Sequence, residues 1–365
     1  MNICRSSMGP AALILALATL ALPGALMAQG TVIDDTGRAG RLLAVLDHAA
    51  WLADGEASDR HIYVIASTDC GYCARLFADS RSHRDGVQLR WLLVGTRAGG
   101  AGALLAVDDA ETLGQVYAGA SPPATDDLGY ALLDVNAWLP GLLELDLTVT
   151  PTFVFQGRSG LRVVPGLGDG LAGLLPQVQA RRGGSATESR SRIVLADGPA
   201  AVAPAPMTRL INFRENPLPL FTLPDQRALA AGELAPRQSY AVTGLVGDDW
   251  IQVAALQRTE AAGGIVPGYL YAPDEVRLAR LDYRIEPAAG ELAASDAPRP
   301  VLTHPDPTAP VITWLAPGEV LPRTGRVQRE EGRWTAVALF RDGTPAFVPE
   351  AAAEDVPDAD PSAGD

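Results

Sequence analysis

The sequence contains no lysine and only three cysteines among its 365 residues. Apart from four histidines, every basic residue is therefore an arginine, which we attribute to genomic base composition rather than to mechanism. Acidic residues outnumber basic ones, 43 against 29, and the net charge is -14 at pH 7. A chain of this charge is poorly suited to the phosphate contacts that dominate nucleic-acid binding. The composition therefore disfavours nucleic acid as a partner.

The N-terminal apolar run lacks the flank that would hold it in a membrane. Residues 1–28 begin with a short basic stretch, continue through AALILALATLALPGALMA and end on a small residue, Ala28. This order is typical of a secretory signal peptide. A retained membrane anchor is the alternative, but Pro23 and Gly24 interrupt the run and no stop-transfer flank follows. We expect cleavage and export, into a compartment where disulfide chemistry persists.

Metal, haem and phosphate sites are disfavoured by missing ligands. Cys4 lies in the leader, so two cysteines remain, Cys70 and Cys73, without a second pair or histidines at the spacing of a zinc site. Covalent haem attachment needs a histidine where Ala74 stands. The chain shows no Ser-His-Asp set, and the glycine-rich segment Gly95–Ala101 lacks the Lys-Ser/Thr ending of a phosphate-binding loop. We expect neither a metal nor a cofactor.

Residues 31–182 alternate between helical and extended hydrophobic patterns. The predicted elements are a helix over Arg41–Ala53, strands over His61–Ser67 and Val87–Val94, helices between 101 and 143, a hairpin of Thr152–Phe155 with Leu161–Val164, and a last helix over 170–181. This order fits one mixed sheet covered by helices, which is an α/β domain.

A Gly-, Ser-, Ala- and Pro-rich segment, 183–208, is predicted as a linker, extended in part, to a repeated all-β region. Phe221–Asp225 (FTLPD) returns 81 residues later as Leu302–Asp306 (LTHPD), and the strand around Trp250 returns around Trp334. The order of strands and turns resembles the SH3-like repeats of exported bacterial proteins. That resemblance implies two small all-β SH3-like barrels. The boundaries expected are 209–281 for the first, 282–357 for the second and 358–365 for an acidic tail.

A tryptophan stands at the matching strand position of each repeat, Trp250 in the first and Trp334 in the second. A tryptophan that alternates with apolar residues usually packs in a core, which we favour. The alternative is a ligand groove in which Trp250 is joined by Tyr269 and Tyr271, or Trp334 by Phe347.

The Cys70-Gly71-Tyr72-Cys73 motif follows a predicted strand and opens a predicted helix. Cys70 would lie at the helix N-terminus, where free N–H groups and the macrodipole stabilise a thiolate. Asp69 opposes this by its charge, unless it caps the helix and points away. The spacing lets both sulfurs meet across one helical turn, so a redox couple is favoured over an inert staple.

The Thr150-Pro151 dipeptide stands at the entrance of a predicted buried strand, about eighty residues after the cysteines. Proline cannot donate to a central strand ladder and belongs at such an entrance. A cis bond here would leave the backbone of Thr150 open to pair with a client segment beside Cys70.

Together these motifs make residues 31–182 resemble the thioredoxin fold, and the DsbC/DsbG-type periplasmic disulfide isomerases in particular. The resemblance implies that Cys70 is the nucleophile and Cys73 the resolving thiol. It implies that Thr150, Pro151 and Tyr72 contact the client and that Gly71, Tyr72 and Asp69 tune the redox potential. The dimerisation module of those isomerases is not expected here, since only a short segment separates the leader from the first helix.

The sequence thus predicts a periplasmic thiol–disulfide oxidoreductase, an isomerase or reductase of envelope proteins. Its expected partners are cysteine-containing clients, a membrane electron-transfer partner, and a peptidoglycan or protein ligand of the SH3-like modules. The alternative is a non-catalytic envelope binding or assembly protein in which Cys70 and Cys73 form a structural disulfide.

Overall fold

The structure, a computed structural model, describes residues 30–350 except 83, 85, 96–98, 146, 169, 208, 257–264, 293–294 and 342. The predicted signal peptide and acidic tail lie outside the described residues. Within the described part of the chain, no helix has the length and apolar character needed to cross a bilayer.

A six-stranded sheet forms the first unit, in the order β1-β6-β5-β3-β4-β2. Its strands are β1 (Thr31–Ile33), β2 (Leu52–Asp54), β3 (His61–Ala66), β4 (Gln88–Leu93), β5 (Thr152–Gly157) and β6 (Gly160–Pro165). Strands β3 and β4 run parallel, while the other neighbours are antiparallel. All six residues of β3 and of β4 are buried, as expected for central strands covered on both faces.

Helices cover both faces of this sheet. They are α1 (Thr36–His48), α2 (Gly71–Ser80), α3 (Ala101–Val107), α4 (Ala110–Tyr117), α5 (Asp127–Ala137), α6 (Leu139–Leu143) and α7 (Gly170–Leu174), the last followed by a 3-10 turn over Leu175–Gln177. One core joins α2 to α3, α4 and α5, and the other joins α1 to α6. The helix predicted over Arg41–Ala53 begins earlier, at the Asp35 N-cap, and ends at His48, because β2 takes up the residues from Leu52 onward.

Two further sheets follow in the second half of the chain. Their strands are β7 (Val202–Ala203), β8 (Arg209–Ile211), β9 (Leu218–Phe221), β10 (Ala230–Leu234), β11 (Ser239–Val246), β12 (Trp250–Leu256) and β13 (Ile265–Tyr271), then β14 (Glu286–Glu291), β15 (Arg299–Leu302), β16 (Val311–Leu315), β17 (Pro322–Arg329), β18 (Gly332–Ala338) and β19 (Pro345–Pro349). The first sheet follows β10-β9-β13-β12-β11, with β8 and β7 both on β11, and the second follows β16-β15-β19-β18-β17-β14. With β8 matched to β14, the two orders are the same, which agrees with an internal repeat.

Neither order of strands closes on itself among the described residues. The SH3-like barrels expected from the sequence are therefore not confirmed, and both units are described as open antiparallel sheets. The repeated sequence pattern indicates the order of the strands but not whether the sheet closes into a barrel. Barrel closure depends on strand tilt and stagger rather than on the order of apolar residues.

A turn of the same form occurs in both repeats, at the positions of FTLPD and LTHPD. Thr222 N–H donates to Leu229 O over 3.0 Å, and Thr303 N–H donates to Pro310 O over 3.1 Å. Leu223 in the first turn is 1 % exposed, and its counterpart in the second, His304, is 8 % exposed. The apolar anchor of one repeat is thus a buried imidazole in the other.

Shared cores join the three sheets. Leu223 and Ala228 of the first all-β unit belong to the core that contains the residues around α2, and Trp138 indole donates to Pro267 O over 3.2 Å. Helix α9 (Pro273–Ala279) supplies Leu278 to the core of the second all-β unit.

The segment 183–208, expected to be a linker, also packs on the first unit. It contains α8 (Arg190–Val194) and a 3-10 turn over Leu195–Asp197, and the Leu195 side chain is buried in the same core. The Ser189 and Ser191 hydroxyls donate to backbone carbonyls at the end of α1. A small-residue composition did not predict this docking, because it follows from hydrogen bonds between distant parts of the chain.

Candidate functional site

Strand β3 and helix α2 place Cys70 and Cys73. Strand β3 ends at Ala66, a turn follows in which Cys70 N–H donates to Ser67 O over 3.3 Å, and α2 begins at Gly71. Cys70 is the N-cap of α2, and its sulfur accepts a hydrogen bond of 3.2 Å from the Cys73 N–H. The side chain expected to become an anion thus occupies the position where a helix offers unpaired N–H groups.

The two cysteines are both thiols in the structure, and they lie in different surroundings. Burial opposes ionisation of Cys70, but hydrogen bonds from the side chains of Cys73 and Thr150 and from the backbone N–H groups of Cys73 and Tyr72 outweigh it. They lower the pKa of Cys70. Cys73 is fully buried, and burial together with the Cys70 side chain raises its pKa to about 12. Cys70 is therefore the more acidic thiol of the pair.

The Thr150-Pro151 loop lies directly against this sulfur. The peptide bond between the two residues is cis. The Cys70 thiol donates to Thr150 O over 3.3 Å, although 80 residues separate the two in sequence. The β5–β6 hairpin anchors the loop, since Gly166 N–H donates to Pro151 O over 2.8 Å and Thr152 Oγ1 donates to Val149 O over 2.6 Å. The structure thus brings together the two motifs that the sequence placed in one site.

The residues between and before the cysteines face solvent. Tyr72 is 58 % exposed, and the Arg75 guanidinium lies 4.4 Å from the centre of its ring. A Cβ placed on Gly71 would meet nothing within 4 Å, so packing does not require glycine there. Asp69 does not cap α2; its carboxylate accepts from the Ser67 hydroxyl, and Cys70 takes the cap position instead.

One neighbour of the site was not predicted from the sequence. Tyr117, the last residue of α4, donates from its hydroxyl to Ser67 O over 3.2 Å. An aromatic residue at the end of a helix gives no signal of such a contact, because the contact depends on how the α3–α6 insertion packs on β3 and α2.

Trp250 and Trp334 take the packing role favoured from the sequence. Trp250 is 9 % exposed and Trp334 is 2 % exposed. Two cavities have no tryptophan in their lining: one of about 690 Å³ between the two all-β units includes Leu278 and His304, and one of about 580 Å³ includes Gln252 and Tyr269. Within the described residues, no three histidine, cysteine or acidic side chains come together as they would around a metal ion.

Comparison with known proteins gave matches among solved structures alone. No protein-family model matches the chain. No curated protein matches it either. A disulfide interchange protein from Neisseria gonorrhoeae is 18 % identical, with 32 % of this chain and 85 % of that chain covered and a TM-score of 0.25.

Two further solved structures show a similar partial likeness. A linker-deletion mutant of Proteus mirabilis ScsC is 15 % identical over 36 % of this chain and 77 % of its own, with a TM-score of 0.28. BcfH of Salmonella enterica Typhimurium is 13 % identical over 36 % of this chain and 73 % of its own, with a TM-score of 0.27. With TM-scores below 0.5, these three bear on neither mechanism nor partners.

Proposed function

We propose that the protein is an exported thiol–disulfide oxidoreductase whose reactive group is the Cys70 thiolate. The observation that supports this most directly is the position of Cys70 at the N-cap of α2, where its sulfur accepts the Cys73 N–H over 3.2 Å and lies 3.3 Å from Thr150 O, next to the fully buried Cys73. The pKa shifts, lowered for Cys70 and raised to about 12 for Cys73, agree with this geometry. A thiolate that is half-exposed and an adjacent protonated thiol are the two components that exchange requires.

The proposed reaction passes two electrons between this pair and a client. The Cys70 thiolate attacks one sulfur of a client disulfide; a Cys70–client bond forms, the client S–S bond breaks, and the other client sulfur leaves as thiolate. Cys73 then gives its proton to the released client thiolate, directly or through water, and attacks the Cys70 sulfur. The Cys70–Cys73 disulfide forms, the second client sulfur leaves, and the client is reduced. Run in reverse, the same steps oxidise a client.

The surroundings of the pair suit these steps. Once Cys70 is covalently bound to a client, its sulfur no longer carries the negative charge that opposes ionisation of Cys73. We assign client contact to Thr150, Pro151 and the exposed Tyr72, and tuning of the potential to Gly71, Tyr72 and Asp69. The clients would be cysteine-containing envelope proteins in the periplasm, and a membrane protein would supply or remove electrons. The all-β units would bind a peptidoglycan or protein ligand.

The reduction potential of the Cys70–Cys73 couple, measured by equilibration in glutathione buffers, tests this proposal. A value of roughly -120 to -200 mV is expected of an oxidase or isomerase, and about -270 mV of a reductase. A value below about -300 mV would identify a structural disulfide and support the non-catalytic binding protein instead. Cys70→Ser should abolish turnover of a disulfide substrate, whereas Cys73→Ser should accumulate a client mixed disulfide.

A further inference from the structure

Helix α4 belongs to the insertion between β4 and β5, yet it reaches the cysteine site. Its last residue, Tyr117, donates from its hydroxyl to Ser67 O over 3.2 Å. The same carbonyl accepts the Cys70 N–H over 3.3 Å. One backbone oxygen therefore links the tyrosine to the residue that caps α2.

The Tyr117 ring is held in place by two other aromatic rings. Its centroid lies 5.7 Å from that of Phe77 and 6.2 Å from that of Trp91, and the Phe77 and Trp91 centroids are 5.3 Å apart. Phe77 lies on α2 and Trp91 on β4. Tyr117 thus contacts the helix that follows Cys70 through its ring and the turn that precedes Cys70 through its hydroxyl.

The hydroxyl of Tyr117 remains protonated at ordinary pH. Burial raises its pKa, and the nearby charges of Cys73, Cys70 and Asp69 raise it further. A protonated hydroxyl can donate to Ser67 O throughout the reaction cycle, including when Cys70 is a thiolate.

The turn has a second anchor on the other side. Thr68 Oγ1 donates to Gly99 O over 2.8 Å, at the start of the insertion. The segment from Ser67 to Cys70 is therefore hydrogen-bonded to a residue just before α3, Gly99, and to the last residue of α4, Tyr117.

We propose that Tyr117 is a positioning residue for the reaction of Cys70. By holding Ser67 O, its hydroxyl fixes the turn that orients Cys70 at the N-terminus of α2, so that the sulfur stays within reach of the Cys73 N–H and of Thr150. Tyr117 touches neither client nor reacting sulfur in this role. The inference rests on the proposed function, because it assigns a part in that same exchange reaction.

Tyr117→Phe isolates the hydroxyl, since the ring that contacts Phe77 and Trp91 is kept. The rate of Cys70 alkylation by iodoacetamide, followed against pH by mass spectrometry on the full chain, gives the pKa of Cys70. We expect this pKa to rise by about 0.5 in the variant, a part of what one neutral hydrogen bond is worth. Hydrogen exchange of the Cys70 amide should also become faster, because its acceptor is less well held.

Tyr240→Phe is the matched control. That tyrosine lies in β11, accepts from Ala235 N–H over 2.9 Å and donates to Gln238 over 2.9 Å, so the substitution also removes a bonded hydroxyl, but in another sheet. It should leave both readouts at wild-type values.

Unchanged Cys70 alkylation and unchanged amide exchange in Tyr117→Phe would overturn the inference, even if the melting temperature falls. A different result would contradict the proposed function, namely a Cys70 pKa in the wild-type chain equal to that of an ordinary thiol. In that case the difference between Tyr117→Phe and wild type still decides the part played by Tyr117.

Discussion

At the scale of single residues, hydrogen bonds and burial give two identical side chains different chemistry. Cys70 is partly exposed and receives donors from Cys73, Thr150 and the start of α2, whereas Cys73 is fully buried. Burial also determines the charge of His304, because it lowers the pKa of the imidazole to about 4 and so keeps it neutral at pH 7. The reactivity of each residue follows from which atoms surround it rather than from its type.

The two cysteines should react with iodoacetamide at very different rates in the folded protein. Because burial raises the pKa of Cys73 to about 12, this thiol is almost entirely protonated at pH 7. We expect Cys70 to be modified first and Cys73 to stay unmodified until the chain is unfolded. Peptide mapping of the reduced protein measures this, with urea-unfolded protein as the control. Equal rates in the folded state would contradict it.

His304 should make stability depend on pH. Burial lowers its pKa to about 4, with Asp306 acting against the shift and Arg277 adding to it. Above pH 6.5 both folded and unfolded chains are neutral at this residue. As pH falls from 6.5 to 4, the unfolded chain takes up the proton first, so stability is lost across that window.

Replacing the imidazole by the residue of the other repeat tests this. His304→Leu copies Leu223 of the first repeat. Between pH 7 and pH 4.5 the free energy of unfolding should fall by roughly 2 to 3 kcal/mol less in this variant than in wild type. Urea unfolding at the two pH values measures the difference. His61, whose pKa is also lowered to about 4 by burial and by Arg90 and Arg181, should leave a pH dependence in the variant. An identical pH dependence in variant and wild type would exclude His304 as a source.

At the scale of elements, Trp138 links the end of α5 to the first all-β unit. Trp138, the residue after α5, is 6 % exposed and packs in the core that contains Leu270 and Val276. Its indole N–H also satisfies Pro267 O on β13. A buried tryptophan that both packs and donates is a strong link between the two units.

Trp138→Ala should weaken this link. The loss of packing costs on the order of 3 to 5 kcal/mol for a buried tryptophan, before the hydrogen bond is counted. Limited proteolysis should then cleave the segment 183–208 faster than in wild type. Trp314→Ala is the control, because Trp314 is 60 % exposed and its removal leaves no cavity. Equal cleavage rates of wild type and Trp138→Ala would show that other contacts are enough to hold the first unit and the first all-β unit together.

At the scale of the whole molecule, the units share cores but not the redox site. Leu223 and Leu278 each lie in the core of a neighbouring unit, so the units stabilise one another. The side chains and N–H groups that lower the pKa of Cys70, from Tyr72, Cys73 and Thr150, all lie in the first unit.

A chain that ends at residue 208 should therefore separate stability from chemistry. Loss of the contacts made by Leu223 and Trp138 should lower the melting temperature of the first unit, measured by calorimetry. The pH profile of Cys70 alkylation should match that of the full chain. A changed profile would show that the all-β units act on the site.

The sequence alone determined which residues could carry the chemistry. Two cysteines at this spacing after a strand, and a Thr-Pro before another strand, are local patterns, because strand propensity, helix capping and proline's missing donor act over a few residues. The repeat was also readable, because duplicated turns keep their local hydrogen bonds, as the Thr222 and Thr303 turns show.

The contacts between distant segments depend on the tertiary structure. The 3.3 Å contact of Cys70 with Thr150, the bond from Tyr117 to Ser67 and the docking of Leu195 all join residues that are far apart in the chain. The end of α1 at His48 was set in the same way, by the pairing of β2 with β4. Such contacts depend on how elements pack and on which polar groups burial leaves to be satisfied, and no local pattern of residues encodes that.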